Sequence, residues 1–177
     1  MTLLKITGMG HPVLRHIAEP VTDPLDPEIA RLAADMIETM RDAPGIGLAA
    51  PQVYRPLRLI VFEVPQGRQE EGEPPAPGAP TVLINPEIVP LGDDTALGLE
   101  GCLSIPGFRG LVPRWRRIAY RGLGLDGEVI EREAEGLHAR VVQHEVDHLD
   151  GVLYLDRLRD LADLALDAEA RHLADRA

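Results

Sequence analysis

Cysteine occurs once in the 177 residues, at Cys102, so no disulfide can form within the chain, which fits a reducing compartment. Aromatic residues make up only 3%. The core must therefore come from Leu, Ile, Val and Ala, and a 45% hydrophobic content is enough for that. A chain of this length needs neither metal nor disulfide merely to stay folded. No apolar run approaches the ~18 residues that span a bilayer. The opening Met1-Thr2-Leu3-Leu4-Lys5-Ile6 lacks the charged and apolar regions of an export signal. The expectation is a cytoplasmic protein with no membrane partner. Positive charge is also short: 18 Lys and Arg stand against 29 Asp and Glu, a net −11. Such a surface repels phosphate backbones and argues against direct nucleic-acid binding. Arg114, Arg116 and Arg117 are the nearest approach to a basic patch, and in a β-rich stretch they are expected to be solvated.

The order of local patterns suggests one α+β domain over residues 1–177. Ile29, Leu32, Ala33, Met36, Ile37 and Met40 recur at helical spacing, which predicts a helix from Asp26 to Arg41. Asp26 would cap it and Pro27 would open its first turn. Leu57–Val64 reads as a buried strand, and Thr81–Ile84 as a second, closed by Asn85-Pro86. Between them, 66–80 carries four prolines and three glutamates and reads as a mobile surface loop. Asp126-Gly127 predicts a hairpin turn. A helix is expected from Gly136 to Asp150, buried between antiparallel sheets, and a last one from Leu158 to Arg176.

The central helix carries the chemistry. His144-Glu145-Val146-Asp147-His148 is an H-E-x-x-H sequence. Four residues advance a helix by about 400° and roughly 6 Å, so both imidazoles stand on one face and can reach one metal ion. Glu145 then lies beside the first ligand, placed to take a proton from water. Leu137, Val141, His144 and His148 form one stripe, and buried imidazoles need partners. A third ligand is required if one coordination position is to stay open. Cys102, in Glu100-Gly101-Cys102-Leu103-Ser104-Ile105-Pro106-Gly107, is the candidate, although a lone cysteine also serves as a small buried hydrophobe. In Gly45-Ile46-Gly47-Leu48-Ala49-Ala50-Pro51-Gln52 the glycines permit close backbone approach to a ligand. Taken alone, that segment is a tight turn and Gln52 a surface amide.

Together, G-I-G-L-A-A-P-Q, E-G-C-L-S-I-P-G and Q-H-E-V-D-H resemble the peptide deformylase family in content and order. The resemblance covers nearly the whole chain. It implies an α+β fold with antiparallel sheets around the H-E-x-x-H helix, flanked by N-terminal and C-terminal helices. It also implies hydrolysis of the N-terminal formyl group of N-formylmethionyl nascent peptides, with release of formate. Cys102, His144 and His148 match the family's metal ligands, and Glu145 its general acid and base. Gln52, through its amide, and Leu103, through its backbone N–H, match the oxyanion donors. Ile46, Gly47 and Gly101 match positions that hold an extended peptide, and Arg109 a side chain reaching it further along. Leu137 and Val141 offer apolar walls for methionine. The resemblance implies one divalent ion, Fe²⁺, replaceable by Ni²⁺, Co²⁺ or Zn²⁺.

Two features depart from common bacterial members. Arg140 stands where those carry an apolar residue, and with Gly107-Phe108-Arg109-Gly110 it looks closer to the mitochondrial and plant-organelle branch. From Leu155 to Ala177 there are six acids and four arginines, a poor composition for docking a C-terminal helix on the ribosome. Two alternatives keep the metal motif: an H-E-x-x-H endopeptidase, and a non-enzymatic metal-binding protein. The first lacks a downstream ligand in a supporting motif. The second lacks the fourth protein ligand usual in a structural site.

Overall fold

The computed structural model of the chain describes residues 2–65 and 77–174. Helix α1 (Pro27–Asp42) starts where predicted. The Asp26 carboxylate accepts the Glu28 N–H at 2.8 Å, satisfying a free donor of the first turn, and Pro27 arrives with φ already helical. Its stripe of Ile29, Leu32, Ala33, Met36 and Met40 is buried with Leu48, Leu59 and Val61.

Eight strands follow among the described residues: β1 (Gly47–Ala49), β2 (Leu59–Phe62), β3 (Thr81–Pro90), β4 (Thr95–Cys102), β5 (Ile105–Trp115), β6 (Arg117–Leu123), β7 (Val129–Glu135) and β8 (Leu164–Leu166). They form two antiparallel sheets, β1-β2-β3-β6-β7 and β4-β5-β8. Strand β2 is buried throughout because each face has its own helix. Leu59 and Val61 join the α1 cluster. Ile60 and Phe62 join the cluster built on helix α2 (Gly136–Leu149). Each such side chain contributes about 1.5–3 kcal/mol by leaving water. Helix α2 contacts strands of both sheets and is buried on nearly every side from His138 to Leu149, the central position expected for it. Among the described residues, no helix is long and apolar enough to cross a membrane.

Two expectations need adjustment. Strand β3 does not stop at Asn85-Pro86. Asn85 adopts φ 51°, and its side chain accepts from the Val21 N–H and donates to the Val21 carbonyl, both at 2.9 Å. The result is a bulge, after which β3 continues along β6. The segment from Leu158 to Arg176 is not one helix. It forms a 3-10 turn (Leu161–Asp163), strand β8, a second turn (Asp167–Glu169) and the short C-terminal helix α3 (Arg171–Ala174). Strand β5 has an open edge there, and the pairing of β8 with it satisfies backbone groups that the edge would otherwise leave unpaired. The loop reading over 66–80 lies outside the described residues from 66 to 76. The Asp126-Gly127 turn joins β6 to β7 as read, with the Asp126 side chain accepting the Glu128 N–H at 3.0 Å and Gly127 at φ 78°.

Helix α2 ends in a left-handed cap. Gly151 has φ 72°, and the Val152 N–H donates to the Asp147 carbonyl at 2.9 Å. A Cβ on Gly151 would lie 2.6 Å from the Arg15 backbone oxygen. Gly151→Ala is expected to cost at least about 1–2 kcal/mol, the penalty of a left-handed non-glycine residue. Urea unfolding measures this, and an unmoved midpoint would show that the Arg15 backbone gives way.

Candidate active site

Helix α2 sets His144 and His148 one turn apart, with ring centroids 5.1 Å apart. Cys102 is the last residue of β4, just before the Leu103–Ser104 turn into β5. That turn carries the sulfur back against the helix, with Sγ 3.3 Å from His148 Nε2. One ligand atom from each of Cys102, His144 and His148 lies within 4.8 Å of the others. The His144 Nδ1–H donates to Glu100 Oε2 at 2.8 Å, leaving Nε2 as the nitrogen able to hold a cation. His148 has no exposed surface, and burial holds its pKa well below the ordinary imidazole value. It is therefore neutral, as a ligand must be. Burial would lower His144 as well, but hydrogen bonds to Cys102 and Glu100 outweigh it and raise this group, so a cation binding at its Nε2 has to displace a proton. A thiol and two imidazoles this close suit one divalent ion with a position left open.

Glu145 points beside this cluster. Burial pushes its pKa up to about 7, and its Oε2 has no hydrogen-bond partner among the described residues. A cation nearby would pull that value down again. Gly47 makes room for the carboxylate: a Cβ there would sit 2.2 Å from Glu145 Oε1. Gln52 is not the surface amide that its local sequence suggests. It is 1% exposed on a 3-10 turn after β1. Its Oε1 accepts the Ala49 N–H at 2.8 Å, which turns the Nε2 group toward Cys102 Sγ (3.5 Å) and Ser104 Oγ (3.2 Å).

The arginine reading needs correction too. Arg116 and Arg117 are exposed, but Arg114 is 5% exposed. It donates through Nε and Nη2 to both oxygens of Glu100 at 2.8 and 2.9 Å, and through Nη1 to Asp147. Asp147 also accepts from Arg157. Arg140 donates to Glu100 at 2.8 Å and to the carbonyls of Val112 and Ala96, so its charge is spent on the strands. Desolvation works to raise Glu100, but the hydrogen bonds from Arg114 and His144 outweigh it and hold the carboxyl well below its ordinary range. Tyr154 stacks on His144, centroids 6.1 Å apart at 22°. Sequence reading passed over Glu100, Asp147 and Tyr154 as functional positions. A signal existed for the acids: charged residues beside a buried motif need partners.

Glu100, Arg140 and His144 face an open cleft of about 440 Å³. Ile46, Gly47, Gly101, Arg109, Leu137 and Val141, the six positions expected to touch peptide, all line it, together with Gln52, Cys102, Leu103, His144 and Glu145. His148 lies behind that lining.

The family model described as polypeptide deformylase matches residues 3–163. The chain belongs to the polypeptide deformylase family. Peptide deformylase 1 of Bordetella pertussis is 53% identical over 157 residues, covering 88% of each chain. The crystal structure of the Thermotoga maritima deformylase superposes with a TM-score of 0.80 at 39% identity, covering 90% of this chain and 100% of that one. A class I type b deformylase from Acinetobacter baumannii, solved with Met-Ala-Ser bound, gives 0.80 at 37% identity, covering 89% and 99%. Deformylases are metalloenzymes that remove the N-terminal formyl group from nascent polypeptides, and that is the activity of this chain. The endopeptidase and non-enzymatic alternatives fall with this result.

Arg114→Met would leave the buried Glu100 and Asp147 short of their shared cation. A loss of about 3–5 kcal/mol is expected, the usual consequence of removing one partner from a buried pair. Urea denaturation of the variant measures it, and a loss under about 1 kcal/mol would mean that Arg140 and Arg157 suffice alone.

Proposed function

We propose that Cys102, His144 and His148 hold one divalent ion, Fe²⁺ in the cell with Ni²⁺, Co²⁺ or Zn²⁺ able to replace it, and that Glu145, Gln52 and Leu103 carry out deformylation around it. The observation that carries this is the convergence, in one cleft, of the thiol–imidazole cluster, a carboxylate with an unpartnered oxygen and an oriented amide. When bound, the ion supplies Lewis acidity, lowering the pKa of water and polarising the formyl carbonyl.

The protein's own groups account for the rest. Glu145 takes a proton from the attacking water as the formyl carbon becomes tetrahedral, then hands it to the departing amine nitrogen. Products are formate and a free N-terminus. As the carbonyl oxygen gains charge, the Gln52 Nε2–H and the Leu103 backbone N–H donate to it. Gln52 is ready for this because its other end is already committed to Ala49. Ile46, Gly47 and Gly101 align the peptide backbone, Leu137 and Val141 receive the methionine side chain, and Arg109 meets residues further along. The bound Met-Ala-Ser of the Acinetobacter relative supports a peptide of that form. Space beside Glu145 is tight, because even a Cβ at Gly47 would collide with it, which favours a formyl hydrogen over a methyl group. The partner is the formylated nascent chain in the cytoplasm. The C-terminal segment is acidic and has only a four-residue helix among its described residues, so it is a poor element for docking on a ribosome.

Glu145→Ala is expected to keep one metal per chain while losing at least ~10²-fold in kcat, the usual scale for general acid–base catalysis. Mass spectrometry of metal content beside the rate decides this, and near-normal turnover would refute the role. Formyl-Met-Ala-Ser should yield formate and Met-Ala-Ser, with acetyl-Met-Ala-Ser nearly inert. Equal hydrolysis of both would remove the steric argument.

A further inference from the structure

Beside the Cys102 thiol, the titratable side chains lining the cleft are Glu100, Arg109, Arg140, His144, Glu145 and Asp167. Glu100, Arg140, His144 and Glu145 belong to the buried network already described. Arg109 and Asp167 differ: their side chains are 47% and 58% exposed, and they pair with each other, Arg109 Nε donating to Asp167 Oδ1 at 2.6 Å. The rim of the cleft therefore carries an ion pair, where the family motifs alone would place a bare cation.

Both partners are held in place by the fold. The Arg109 stem lies across Gly101, where a Cβ would be 3.1 Å from its Cδ, Nε and Cζ. Asp167 immediately follows β8, whose register sets Ala165 opposite Arg109. Two residues beyond a cross-strand partner lies the diagonal position on the same face, within reach of a long side chain. Asp167 uses only Nε, so the Nη groups of the guanidinium fork stay available to a ligand. The family model's match ends at residue 163, before β8 and Asp167.

We infer that Asp167 is a specificity-determining residue for the part of the peptide beyond formyl-methionine: paired with Arg109 at the cleft rim, it sets the response to charge on the residues that follow. The inference rests on the deformylase reading, with the peptide running past Arg109. An unpaired Arg109 would favour acidic side chains there. Asp167 cancels that preference and presents a carboxylate to cationic ones, in the same direction as the field of a chain with net charge −11.

The test compares kcat/KM of the metal-loaded enzyme for C-terminally amidated formyl-Met-Ala-Asp, formyl-Met-Ala-Lys and formyl-Met-Ala-Ser at low ionic strength. Asp167→Asn is expected to move the Asp-to-Lys ratio about 5-fold toward the acidic peptide, as exposed charge pairs allow. Asp167→Lys should move it further, and Asp167→Glu should hold it near the wild-type value. The shifts should shrink at about 0.5 M salt. A merely structural role for Asp167 would lower all three peptides alike. Ratios in Asp167→Asn and Asp167→Lys that stay within about two-fold of wild type would overturn the inference. Absence of formate from every peptide, wild type included, would overturn the deformylase reading and this one with it, a result distinct from an unmoved ratio.

Discussion

The Glu100 carboxylate, 5% exposed on β4, accepts hydrogen bonds from Arg114 on β5 and from Arg140 and His144 on α2. Through it the smaller sheet grips the central helix. Arg114 extends the grip by donating to Asp147 on the same helix, where Arg157 joins from beyond the helix end. Burying these charges carries a desolvation penalty of several kcal/mol per ion. The penalty is offset only because each carboxylate oxygen has a well-placed donor. A set of apolar side chains of similar size could hold the elements together as well. What they could not do is orient the His144 ring, and that orientation decides which nitrogen faces a metal.

The central helix explains why the ionisable groups of the site are buried. Sheets or loops cover α2 on nearly every side, so each polar group on it must find a partner or bear the cost of burial. Gln143 finds the Trp115 backbone, and Asp147 finds two arginines. Glu145 Oε2 and His148 Nδ1 find none among the described residues, and the first of these belongs to the proposed proton carrier. An unsatisfied carboxylate in a buried setting is what raises Glu145 to about 7, a value that a bound cation would lower again.

The rim of the cleft follows a different logic. There the decisive event is the pairing of β8 with the exposed edge of β5, which brings an acid from late in the chain against Arg109. A helix over the same residues would have presented Asp167 elsewhere. Edge satisfaction, a backbone effect, therefore sets the charge at the cleft rim.

Local pattern settled much of this protein from the sequence alone. The period of Ile29 to Met40 and the Asp26-Pro27 start predicted α1, since caps and amphipathic stripes act over one or two turns. The H-E-x-x-H spacing placed two imidazoles and an acid on one helical face, because helix geometry is itself local. Family resemblance pointed to Cys102 as a candidate third ligand and to Gln52 as a candidate donor, which no spacing could supply. Tertiary structure alone decided the rest: that Cys102 Sγ lies 3.3 Å from His148 Nε2, that Arg114 is buried and not solvated, that Asn85 makes a bulge and not a strand end, and that 164–166 is strand. Each of these depends on a partner distant in the chain, and whether a polar or backbone group has such a partner is a property of the folded surface around it.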